Sequence, residues 1–106
     1  MAIGEASLER QRPRAVLALE GELDAASATD AQKRMLHLDL RPGGQLVLDL
    51  SGLTFMDSTG IRVILQAENH ASLHGAELIV VRPRDSVMRV LELVGLDEQL
   101  DLVERR

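Results

Sequence analysis

The sequence is poor in the residue types that form covalent cross-links, thiolate metal sites and stacking surfaces. It contains no cysteine, no tryptophan and no tyrosine, and it has a single phenylalanine. Disulfides and thiolate zinc sites are therefore excluded. The near absence of aromatic rings also removes the platforms on which sugars and nucleic-acid bases stack.

Basic charge is scarce as well. Seventeen acidic residues stand against twelve basic ones, the net charge is −5, and no segment carries a cluster of lysine or arginine. Binding to a phosphate backbone requires the opposite balance, so nucleic acid is not an expected partner. The start of the sequence lacks the basic and apolar regions of a signal peptide, and no apolar run reaches transmembrane length. We therefore expect a cytoplasmic protein with no membrane partner.

The length of 106 residues suits one domain with a single core, which we expect to run from about residue 14 to residue 103. Apolar patterns predict the element order β-β-α-β-α-β-α, with room for a short final strand at 100–103. A turn at Arg12-Pro13 would join a polar strand at 7–11 to a strand at 14–20 as an antiparallel hairpin. Right-handed crossovers would make the later strands parallel. The predicted fold is an α/β domain, a mixed sheet with helices packed on it.

Residues 46–65 are the centre of this pattern. Residues 46–50 are apolar except for Asp49, as is typical of a buried parallel strand. Apolar residues then return at helical spacing, which predicts a helix from about Thr59 to Leu73 that Gly75 ends in a left-handed cap. The polar loop Asp57-Ser58-Thr59-Gly60 lies between strand and helix. Open α/β sheets usually place their sites in such loops, at the carboxyl ends of the strands.

The remaining elements are predicted from caps and spacing. A helix should span Ala25 to Leu40, with Asp24 or Ser27 as its N-cap, and a turn should follow at 41–44. A second buried strand is expected at 77–81, followed by a helix that Ser86 caps and Gly95 ends. The apolar stripes of the two helices are Ala28, Ala31, Met35 and Leu38 in the first, and Val87, Val90, Leu91 and Val94 in the second.

The sequence contains none of the common catalytic motifs. It has no Walker lysine loop, no Gly-x-Gly-x-x-Gly and no Gly-x-Ser-x-Gly elbow, and no base, nucleophile and orienting group can be assembled. We therefore expect no enzymatic activity and no cofactor. His70 and His74 share one helix face, but a third metal ligand is not evident, and histidine near a helix C-terminus also interacts favourably with the helix dipole. No metal site is predicted.

The loop at 57–60 has two interpretations. Serine or aspartate before an apolar helix most often caps it, which contributes about 1 kcal/mol, and Gly60 would permit close backbone packing. Spacing alone favours this structural interpretation. The longer stretch around the loop favours a functional one.

That stretch, Leu48-Asp-Leu-Ser-Gly-Leu-Thr-Phe-Met-Asp-Ser-Thr-Gly-Ile61, resembles the STAS domain family, and more closely the bacterial anti-sigma factor antagonists. Gly21-Glu-Leu-Asp24 before it and Val90-Leu-Glu-Leu-Val-Gly-Leu-Asp97 after it extend the resemblance over about Arg14 to Val103. The Phe-Met-Asp-Ser-Thr-Gly core is its most specific part.

The resemblance implies a domain that binds an anti-sigma factor, usually a serine kinase, and so releases a sigma factor. The kinase phosphorylates the serine that matches Ser58, the phosphorylated form no longer binds, and a PP2C-type serine phosphatase restores it. We expect a monomer or a weak dimer. The predicted partner-binding residues are Gly21, Glu22, Asp24, Met56, Asp57, Ser58, Thr59 and Gly60.

Other interpretations remain open at this point. Met56 and Ile61 could form an exposed apolar contact patch, or both could face the core, which is the favoured position for Ile61. The chain could instead be a STAS scaffold or regulatory subunit of a larger assembly, in lipid transport or stress signalling. It could also be a nucleotide-binding module that holds phosphates at the helix N-terminus.

Overall fold

The computed structural model describes residues 13–104, so the strand predicted at 7–11 lies outside the described residues. No helix within this range is long and apolar enough to cross a membrane. The elements are β1 (Arg14–Leu23), α1 (Ala25–Leu36), β2 (Gln45–Met56), α2 (Ser58–Leu73), β3 (Glu77–Val81), α3 (Asp85–Leu93), α4 (Leu96–Gln99) and β4 (Leu102–Val103).

The four strands form one parallel sheet in the order β1-β2-β3-β4. Right-handed crossovers that always advance in the same direction leave the helices on one face of a sheet. Burial agrees with this, because Leu46, Leu48 and Leu50 are fully buried while Val47 is half-buried and Val16 is exposed. The predicted parallel pairing is confirmed for these strands. The antiparallel partner that would make the sheet mixed was predicted at residues 7–11, which are not described.

The core lies between the covered face of the sheet and the helices. Its bulk comes from leucine, isoleucine and valine side chains, each of which contributes about 1.5–3 kcal/mol when it leaves water. No polar or charged residue of the described range is buried among them. The largest fully buried side chains are Leu17, Leu23, Leu46, Leu48, Leu50, Leu53, Val63, Ile64, Val80, Val87 and Leu91.

The first helix is shorter than predicted. It ends at Leu36 rather than Leu40, because the His37 N–H closes the last turn on the carbonyls of Arg34 and Met35. Leu38 is half-buried and Leu40 is buried, and both pack against the core from the loop. Leu38 therefore continues the helical spacing of Ala28, Ala31 and Met35 although it lies beyond the end of the helix.

The third helix differs from the prediction at its start. Arg84 occupies the N-cap position, Ser86 is the second helical residue, and no side chain caps this end. The predicted cap at Ser86 is wrong. Val94 is 54% exposed and does not belong to the buried stripe, in which Met88 takes part instead. The predicted end is confirmed, since Gly95 adopts a left-handed φ of 76°.

The second strand is longer than the predicted run at 46–50 and continues to Met56. Its pairing with β3 ends at Asp49, opposite Val81, while its pairing with β1 continues to Met56, opposite Leu23. Beyond Asp49, strands β1 and β2 therefore form a two-stranded ribbon. The loop at 57–60 lies at the end of this ribbon.

Candidate functional site

The two sequence segments predicted to bind a partner meet at the end of the ribbon. Leu23 is paired with Met56, and the Asp57 N–H donates to the Leu23 carbonyl at 3.3 Å. The segment from Gly21 to Asp24 therefore lies beside the one from Met56 to Gly60. The predicted position of the loop, at the carboxyl ends of the strands, is confirmed.

Two aspartates cap the two helices that begin here. Asp24 Oδ1 accepts from the N–H groups of Ala26 and Ser27 at 3.1 Å each, and the Ser27 hydroxyl accepts from the Asp24 N–H at 3.0 Å. Asp57 Oδ1 accepts from the Thr59 N–H at 2.8 Å. Each carboxylate satisfies backbone donors that a helix N-terminus otherwise leaves without partners. The capping interpretation is thus confirmed for both aspartates.

Ser58 has no part in this capping. It is the first residue of α2 and is exposed to solvent. Within residues 13–104 its hydroxyl makes no hydrogen bond. Ser58 is therefore accessible to solvent, and the side chain that caps this helix is that of Asp57.

Met56 and Gly60 are buried, so Met56 takes the core-facing position that the sequence left open and not the exposed one. Met56 is only 3% exposed, and it packs directly over Gly60. A Cβ atom at Gly60 would lie 2.6 Å from the Met56 sulfur and 3.2 Å from Leu23 Cδ2. The predicted close packing at Gly60 is confirmed. Met56 and Gly60 pack against each other on the core side of the loop. Ile61 is half-buried against the core, as favoured from the sequence.

Comparison with known proteins identifies the family of this chain. The family model described as STAS domain matches residues 6–105. This chain belongs to the STAS domain family. It is 27% identical to the anti-sigma-B factor antagonist of Listeria monocytogenes over 94 residues, which are 89% of this chain and 82% of that protein. It is 32% identical to the anti-sigma F factor antagonist of Paenibacillus polymyxa over 90 residues, 84% of this chain and 77% of that protein.

The fold of this STAS domain is also that of a solved structure. The anti-sigma factor antagonist SpoIIAA in its unphosphorylated form superimposes with a TM-score of 0.67 at 20% identity. The match covers 91% of this chain and 83% of that one. At this identity the likeness concerns the fold alone, and it confirms the predicted small α/β domain.

Sequence reasoning missed Phe55 as a surface residue of this STAS domain. Strand β2 carries two irregularities opposite β1, between Ala18 and Glu20 and between Gly21 and Glu22, and each adds one residue to β2. Such bulges redirect side chains. As a result Leu53 points inward, and Thr54 and Phe55 are consecutive exposed residues before the buried Met56. Two signals in the sequence could have found Phe55: it is the single aromatic residue, and alternation from Leu50 places residue 55 outward.

The histidine pair lies at the C-terminal end of α2, whereas the candidate site lies at the N-terminal end of this helix. His70 is in the last turn and His74 is the C-cap residue, with ring centroids 4.5 Å apart. Burial and the neighbouring His74 lower the pKa of His70 below its usual value of 6.5. In the described part of the chain no three histidine or acidic side chains are grouped to hold a metal ion.

The different roles of Asp57 and Ser58 can be tested by measuring how each substitution changes the free energy of unfolding. Asp57→Ala should lower the free energy of unfolding by about 1 kcal/mol, because the Thr59 N–H loses its acceptor at the helix N-terminus. Ser58→Ala should change it by less than about 0.5 kcal/mol, as for an exposed residue without partners. Urea denaturation of both variants measures the difference. Equal losses would mean that Ser58 shares the capping role.

Proposed function

We propose that this STAS domain is an anti-sigma factor antagonist. In this proposal it binds an anti-sigma factor that is a serine kinase and thereby releases a sigma factor. The names of its relatives support this role, since two of them are antagonists of anti-sigma factors. The partner would contact the end of the β1–β2 ribbon, where Glu22 and Ser58 are exposed and Gly21, Asp24, Asp57 and Thr59 are half-buried.

Phosphorylation of Ser58 would end the interaction. The observation that carries this step is the exposed hydroxyl of Ser58, which has no structural duty because Asp57 caps α2. The Ser58 Oγ would attack the γ-phosphorus of ATP held by the kinase. An Oγ–P bond forms, the bond to the β–γ bridging oxygen breaks, ADP leaves, and the hydroxyl proton is lost to solvent or a base of the kinase.

The resulting phosphoserine would act at the interface rather than on the fold. It carries a charge of about −1.5 to −2, which a helix N-terminus tolerates well. A hundredfold loss of affinity requires only about 2.8 kcal/mol. Removing a charged group from water at a close-packed interface costs several kcal/mol unless it is paired. A PP2C-type phosphatase would hydrolyse the ester and restore binding.

Phosphopeptide mapping tests the proposal. The purified protein is incubated with ATP and the candidate kinase, and the phosphorylated residue is identified by mass spectrometry. We expect phosphate on Ser58 of the wild type and none on Ser58→Ala, together with loss of the complex on a sizing column. Phosphate on the neighbouring Thr59 instead, or a complex that survives modification of Ser58, would contradict it.

Experiments with the same purified protein also distinguish two other roles, a nucleotide-binding module and a scaffold subunit. Binding of ATP by this chain alone, without the kinase, would favour a nucleotide-binding module. Recovery of a transporter subunit or a large stress-signalling particle in a pull-down would favour a scaffold. Neither outcome is expected under the proposed function.

A further inference from the structure

Phe55 is an exposed aromatic side chain next to the proposed switch. It is the only phenylalanine in a chain without tryptophan or tyrosine, and 48% of it is exposed. Aromatic residues are enriched among the few side chains that dominate protein–protein binding. Most of the other strongly exposed large apolar residues lie at or just after the C-terminal ends of the helices: Leu36, Leu73, Leu93 and Val94.

The backbone holds Phe55 at this surface. The second irregularity of β2 makes Thr54 and Phe55 consecutive exposed residues, and Phe55 is paired in register with the exposed Glu22. Strand β3 does not extend this far, since its pairing with β2 ends at Asp49. Phe55 therefore lies on the two-stranded ribbon, beside Glu22 of β1 and three residues before the residue that would be phosphorylated.

The charges around Phe55 indicate the kind of surface that fits it. The exposed carboxylates of Glu20 and Glu22 form no ion pair within the described residues, and those of Asp24 and Asp57 bind backbone N–H and hydroxyl groups rather than cations. A partner complementary to this end of the ribbon needs an apolar centre opposite Phe55 and basic side chains opposite Glu20 and Glu22.

We propose that Phe55 is the apolar anchor of the anti-sigma factor interface. Its ring would enter an apolar pocket on the kinase that is rimmed by arginine or lysine facing Glu22. The Ser58 hydroxyl would lie on the apolar side of this pocket, away from the basic groups, where a phosphate would have no cation to pair with. This inference rests on the proposed function and adds a residue that anchors the contact.

Affinity measurements with the purified kinase test the anchor. Phe55→Ala should raise the dissociation constant about thirtyfold, a change that corresponds to about 2 kcal/mol. Leu93→Ala is the matched control, because Leu93 is 86% exposed on α3 and should leave the affinity within twofold of the wild type. Glu22→Gln should weaken binding about threefold at low salt, and this difference should vanish near 0.5 M salt, whereas that of Phe55→Ala should persist.

Steady-state phosphorylation separates anchoring from a structural effect. Phe55→Ala should raise the KM for phosphorylation of Ser58 about thirtyfold with kcat unchanged, and Phe55→Leu should recover most of the loss. An unchanged dissociation constant for Phe55→Ala would overturn the anchor while wild-type binding still supports the proposed function. A fall in kcat with normal KM would also overturn it, since Phe55 would then only position Ser58. If the wild type is neither bound nor phosphorylated, the proposed function fails and the anchor with it.

Discussion

Replacing Ser58 with aspartate is expected to weaken binding to the anti-sigma factor about a hundredfold while leaving the domain folded. The substitution puts a permanent negative charge on an exposed position beside the Asp57 carboxylate. At the helix N-terminus this charge is locally tolerated, so the free energy of unfolding should change by less than about 0.5 kcal/mol. At the interface the same charge must leave water, and about 2.8 kcal/mol is enough for the hundredfold loss.

Two further variants test whether the loss of affinity depends on the position of the new charge and on the charge itself. Ser72→Asp adds the same charge to an exposed serine near the far end of α2, and it should bind as tightly as the wild type. Ser58→Ala should bind normally and stay bound after incubation with kinase and ATP. Isothermal titration measures the affinities and urea denaturation the stabilities. An unfolded Ser58→Asp protein would mean that Ser58 is a structural residue, and full-strength binding would remove charge as the basis of the switch.

Gly60→Ala is expected to lower the free energy of unfolding by about 2 kcal/mol, although alanine is the better helix former by about 1 kcal/mol. The reason is steric. A Cβ atom at this position would lie 2.6 Å from the Met56 sulfur and 3.2 Å from Leu23 Cδ2, and overpacking of a core typically costs about 1–3 kcal/mol or more. Met56 and Leu23 are paired at the end of the ribbon, so the steric strain would affect the residues that hold the loop at 57–60 in place.

A double-mutant cycle identifies the clash as the cause. Met56→Ala alone should destabilise by about 2–5 kcal/mol because it leaves a cavity. In that background Gly60→Ala should become neutral or stabilising, since the side chain it collides with has gone. Additive losses in urea denaturation would show that Gly60 is needed for some reason other than contact with Met56.

Local patterns predicted the elements around the site well. The apolar run at 46–50, the capping residues and the helical spacing after Gly60 were enough to predict strand, loop and helix, because each signal acts within a few residues. Leu38 was misassigned to α1 for the same reason. It follows Met35 at helical spacing, and only the packing of the loop against the core explains why Leu38 and Leu40 are partly or fully buried.

Part of the surface of the site was beyond such patterns. Alternation from Leu50 places Phe55 outward and Met56 inward, as observed, but it would also turn Leu53 outward and Thr54 inward. Leu53 is buried and Thr54 exposed because β2 has two extra residues, which are defined only by its register with β1, a strand some thirty residues earlier in the chain.

The sequence by itself determined an acidic, cysteine-free α/β domain with a polar loop at the carboxyl end of its central strand and a family motif in that loop. Only the tertiary structure decided that Asp57 caps the helix and leaves Ser58 exposed, that Met56 and Gly60 pack beneath the loop, and that Phe55 lies beside it. The physical reason is that capping geometry and side-chain direction depend on contacts between neighbouring strands, whereas periodicity and composition are properties of the chain alone.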